Sequence, residues 1–104
     1  MNSDVNERSY LRLSIQRAMV GNVSSNLAGM SSKLSDNTVS VSAYYFENPS
    51  EKDRDLFTEI TTLVIADFPV DFGLSESESL ISSAPPRGVS WDYLRAEADA
   101  LLRA

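Results

Sequence analysis

The segment VSVSAYYFENPSEKDRDLFTEITTLVIADFP, residues 39–69, holds a strand, a break and a helix in immediate succession. Val39, Val41, Ala43 and Tyr45 alternate with Ser40, Ser42, Tyr44 and Phe46, a period of two that puts the first set on one face of a β-strand. Asn48-Pro49 breaks this strand. Ser50, followed three residues on by Asp53, has the spacing of a capping box, in which hydroxyl and carboxylate each accept a backbone N–H at the start of a helix. Pro69 requires that helix to stop before it, giving a span of roughly 50–68. Leu56, Phe57, Ile60, Leu63, Val64 and Phe68 share the inner face, and Leu56, Ile60 and Val64 are expected to be almost fully buried. The outer face carries Glu51, Asp55 and Glu59 at successive i, i+4 positions, with Thr58, Thr62 and Ile65 beside them.

Toward the N-terminus, Ser3 or Asp4 caps a first helix over about 4–20, and Gly21 supplies the left-handed conformation that ends it. Leu11, Ile15, Ala18 and Met19 form its core stripe, while Tyr10, Leu13, Arg17 and Val20 lie on the far side. Leu27 to Leu34 reads as a strand joined to Val39–Phe46 through the turn formers Ser35, Asp36, Asn37 and Thr38. Toward the C-terminus, Val70 to Ser83 is polar on both parities, Glu76 and Glu78 on one and Ser75, Ser77 and Ser79 on the other, as suits an edge strand. Pro85-Pro86 and Gly88 mark a turn, and Val89, Trp91 and Tyr93 alternate as a fourth strand. The tail over 96–104 reads equally as helix or frayed end. The expected fold is a single α+β domain spanning 1–104, in the order α-β-β-α-β-β, with a four-stranded, mainly antiparallel sheet and both helices packed on one face.

Composition narrows the function. The chain has 104 residues, 42% of them hydrophobic and 23% charged, a globular balance that allows one modest core. It contains no cysteine and no histidine, which removes thiolate nucleophiles, the commonest general base and the usual ligands of zinc. No phosphate-binding glycine loop or nucleophile elbow is present, and the expectation is a non-enzyme with no cofactor and no tightly held transition metal. The N-terminus MNSDVNERSY has no apolar run of the signal-peptide kind, so a cytoplasmic location and no membrane association are expected.

Charge is unevenly placed. From Glu47 to Glu78 nine acids face two bases, Lys52 and Arg54, a local charge of −7 in a chain of −6. Such a field repels nucleic acid and anionic lipid and speeds encounter with a basic protein. The aromatic residues Tyr44, Tyr45, Phe46, Trp91 and Tyr93 are read as core in the main, because base-stacking surfaces are ringed with basic residues and this chain has two lysines.

Three stretches, YLRLSIQRAMVGNV (10–23), VSAYYFENPSEKD (41–53) and TLVIADFPVDF (62–72), resemble small α/β bacterial immunity proteins of contact-dependent growth inhibition and related toxin systems. The resemblance implies a non-catalytic inhibitor that binds one cognate toxin domain, often a nuclease. It carries no fixed set of contact residues. From the helical wheel and the charge, the candidate contacts are Glu47, Glu51, Asp55, Glu59, Glu76 and Glu78, with Ile65 and Tyr44 as apolar anchors. The free chain is expected to be a monomer or a homodimer. Two other functions stay open at this point: a structural or regulatory homodimer joined through exposed Leu13, Val20 or Ile65, and a small carboxylate-dependent enzyme.

Overall fold

A computed structural model describes residues 3–83 and 88–103. The expected turn at Pro85-Pro86 lies outside them, as do the side chains of residues 3–6, where the first helix cap is expected. The elements are α1 (Ser3–Met19), β1 (Leu27–Ser35), β2 (Thr38–Tyr45), α2 (Glu51–Ile65), β3 (Gly73–Leu80), a 3-10 turn (Ile81–Ser83), β4 (Trp91–Leu94) and α3 (Ala96–Arg103). The four strands form one sheet in the order β3-β2-β1-β4.

Local chemistry explains the boundaries. Gly21 takes φ +79 after α1, and the backbone and side-chain amides of Asn22 donate back to the carbonyls of Met19 and Ala18, both at 2.9 Å. Between β1 and β2 only Asp36 and Asn37 intervene, with φ of 51 and 57, the left-handed pair that a two-residue hairpin needs. The capping box of α2 forms as expected: the Asp53 N–H donates to Ser50 Oγ at 3.1 Å, and the Ser50 N–H donates to Asp53 Oδ2 at 2.9 Å.

The sheet departs from expectation at β3, which runs parallel to β2, from Thr38↔Gly73 to Tyr45↔Leu80. The reason is the helix between them. Fifteen residues of α2 span about 22 Å, close to the roughly 26 Å of an eight-residue strand. The chain is therefore carried back to where β2 began, and Gly73 N–H donates to the Asn37 carbonyl at 2.9 Å. β3 is an edge strand as expected, and β4 pairs antiparallel with β1 at the other edge.

Both α1 and α2 pack on one face of the sheet. Leu11, Ile15, Ala18 and Met19 of α1 meet Phe57, Ile60 and Val64 of α2 over Leu27, Met30, Val39, Val41, Ala43 and Tyr45. Ile60 and Val64 are buried as expected, whereas Leu56 is half-buried and Leu63 is exposed. Each of these two leucines sits one position off the Phe57–Ile60–Val64 line, roughly a quarter turn away from the sheet. The opposite face is not bare. A small second core of Ala28, Tyr44, Ile81 and Ala98, joined by Phe46, Trp91 and Leu94, is covered by the 3-10 turn and by α3, so the tail is helical and a third helix lies on the second face. The rest of that face carries Ser31, Ser40, Ser42, Ser75 and Ser77, with Ser77 Oγ donating to Ser42 Oγ at 2.8 Å.

Two substitutions test this packing. Ile60→Ala should cost about 2–5 kcal/mol in urea melts through the cavity it leaves. Gly29 lies under Trp91, where an added Cβ would come within 2.8 Å of Cζ3. Gly29→Ala should therefore displace the indole, with a loss of about 1–3 kcal/mol and a changed emission maximum from the chain's single tryptophan.

Candidate protein-interaction surface

Eight of the nine acids of the −7 segment fall into three structural classes; the ninth, Asp71, is exposed in the turn before β3. Glu51, Asp55 and Glu59 are exposed along the outer side of α2, a stripe that makes no ion pair among the described residues. Glu47 is exposed just beyond β2, and its backbone is gripped by Asn26, whose Oδ1 accepts the Glu47 N–H and whose Nδ2 donates to the Glu47 carbonyl, each at 2.9 Å.

Glu76 and Glu78 are separate from the stripe. Their register partners Val41 and Ala43 face the helices, so both glutamates project on the helix side of β3. Thr61 Oγ1 donates to Glu76 Oε2 at 2.6 Å, and Arg54 Nε stands 3.9 Å from Glu78 Oε1. Arg54, Phe57, Thr58, Glu76, Ser77 and Glu78 line a cleft of about 210 Å³ between α2 and β3.

Asp53 and Asp67 are structural. Asp53 is buried, and Asn26 Nδ2 also donates to it, at 3.0 Å. Burial alone would raise its pKa, but hydrogen bonds from the Ser50 backbone, Asn26, Ser24 and Ser50 outweigh that and hold it below the usual aspartate value. Asp67 accepts from Ser14 Oγ at 2.6 Å and lies 3.6 Å from Arg17 Nη2, while the Tyr10 hydroxyl donates to its carbonyl at 2.7 Å. These contacts bind the end of α2 to α1. A carboxylate of the opposite behaviour joins α1 to β4: burial raises the pKa of Asp92, partly offset by Ser32 and Arg12.

The two apolar anchors read from the sequence do not fit an exposed contact. Tyr44 is 8% exposed and lies edge-on to Trp91, at 5.1 Å between ring centroids, on the sheet face opposite α2. Strand parity accounts for this, since Tyr44 alternates with the helix-facing Ala43 and Tyr45. Ile65 is half-buried against the main core. The large apolar side chains that do reach solvent include Leu13, Val20, Leu63 and Val70, the last fully exposed after Pro69. The sequence reading put Val70 at the start of the edge strand, whereas it lies in a turn and β3 begins at Gly73.

Residues 8–97 match the MafI2 immunity protein family. The chain belongs to that family. The match spans α2, all four strands and most of α1, so the acidic stripe and the α2–β3 cleft both lie inside the MafI2 region. No curated protein matches the chain. Among the described residues no helix is long and apolar enough to cross a membrane.

In this MafI2 family member Asp53 caps the start of the helix that carries the acidic stripe. Its folded-state pKa is lowered, so its stabilisation is complete above the ordinary aspartate value and is lost as the pH falls through the lowered folded value. Asp53→Ala should cost about 1–3 kcal/mol at neutral pH, because Asn26 and the Ser50 N–H lose their acceptor. Urea melts in acid should show a smaller difference between variant and wild type as Asp53 becomes protonated.

Proposed function

We propose that the chain neutralises a cognate toxin domain by stoichiometric binding, with Glu51, Asp55 and Glu59 facing a basic surface of that toxin. Membership of the MafI2 immunity protein family carries this reading. The stripe supports it, because three like charges aligned at i, i+4 slightly weaken a helix, a cost that the first-turn position of Glu51 only partly offsets, and among the described residues they make no ion pair. The toxin class that suits such a surface is a nuclease, whose substrate channel needs positive charge. Glu47 extends the acidic surface near the start of α2, and occupation of the channel by carboxylates would exclude a phosphate backbone. We place the encounter in the cytoplasm of the cell that makes the chain, in contact-dependent growth inhibition or a related form of competition.

Charges at the rim of an interface act mainly on association rate, through a field that salt screens. The variant Glu51→Gln, Asp55→Asn, Glu59→Gln should associate more slowly with the cognate toxin domain, by roughly tenfold at low salt, and with a flatter salt dependence. Stopped-flow binding at low and high salt measures this. Kinetics unchanged at both would remove the stripe from the contact.

A further inference from the structure

Among the described residues no strand pairs with the outer edge of β3. Seven of its eight residues are exposed, so its outward backbone N–H and C=O groups are open to another strand. Any strand added there would align alternate side chains with Leu74, Glu76, Glu78 and Leu80, on the face that opens into the α2–β3 cleft. We infer that the β3 edge takes up an extended segment of the toxin as a fifth strand, with lysine or arginine side chains of that segment seated against Glu76 and Glu78. This rests on the toxin-binding reading and gives that partner a definite chemistry.

Two observations support a basic occupant. Glu76 uses one oxygen on Thr61, and Glu78 meets Arg54 only at 3.9 Å, beyond hydrogen-bonding distance, so both carboxylates retain free acceptor sites. The second observation is the charge pattern itself, which disfavours a second copy. Antiparallel pairing of two β3 edges centred on Glu76, Ser77 or Glu78 sets glutamate against glutamate, and like charges directly opposite are destabilising.

The test uses the full chain and three synthetic octapeptides: alternating Val-Lys, alternating Val-Glu, and the Val-Lys peptide with every backbone amide methylated. Binding of the Val-Lys peptide should slow hydrogen–deuterium exchange of β3 amides by at least about tenfold, while the methylated and Val-Glu peptides leave it unchanged. Glu76→Gln with Glu78→Gln should weaken the Val-Lys peptide by roughly tenfold, whereas the α2 triple variant should bind it as wild type does. Equal binding of the methylated or Val-Glu peptide, protection confined to other elements, or no protection at millimolar peptide would each overturn the inference. Exchange measured on the complex with the toxin domain separates the two readings. A chain that binds toxin while its β3 amides exchange freely refutes strand addition alone, and a chain that does not bind toxin refutes the function.

Discussion

The burial of Val39, Val41, Ala43 and Tyr45 on one face of β2 fixes the arrangement around it. All four are at most 1% exposed, and removing side chains of this size from water stabilises by about 1.5–3 kcal/mol for each of the larger ones. Slipping β2 by one residue would exchange that set for Ser40, Ser42, Tyr44 and Phe46. Its register therefore determines where β1 and β3 lie, and α1 and α2 have one apolar surface on which to pack. The exposed acids Glu51, Asp55, Glu59, Glu76 and Glu78 are then left on the far side of α2 and at the margin beyond β2.

Much of this was legible in the residues because the signals were local. Gly21, the turn between β1 and β2 and the Ser50/Asp53 cap each depend on a few adjacent positions; the first and last form as read, and the turn is tighter than read, Asp36-Asn37 alone, with Ser35 and Thr38 paired in the strands. The parallel direction of β3 was not legible from its own residues, since GLSESESL pairs equally well either way and the direction follows from the return path of α2. The misplacement of Tyr44 has a related cause. Alternation separates two faces, but whether the second face meets water depends on the 3-10 turn and α3, elements of weak periodicity.

The candidate surface was legible as charge and not as geometry. A count of acids treats Asp53, Glu59 and Glu76 alike, although one is a buried cap, one points to water and one leans on Thr61. Only Glu51, Asp55 and Glu59 could be grouped from spacing, because a single helix carries them. Glu76 and Glu78 required the pairing register with β2 before their side of the sheet was known.

The parallel crossover also sets an order in time. The β1–β2 hairpin closes through two residues and can assemble early, since short loops lose little entropy on closure. β3 has no template until β2 is in place and no route to it until α2 has brought the chain back, so its pairing is a late event in folding. An incomplete chain, paused after the hairpin, would have neither the α2 stripe in position nor a β3 edge beside a cleft. Recognition that depends on both elements would discriminate finished molecules from unfinished ones without any separate checkpoint.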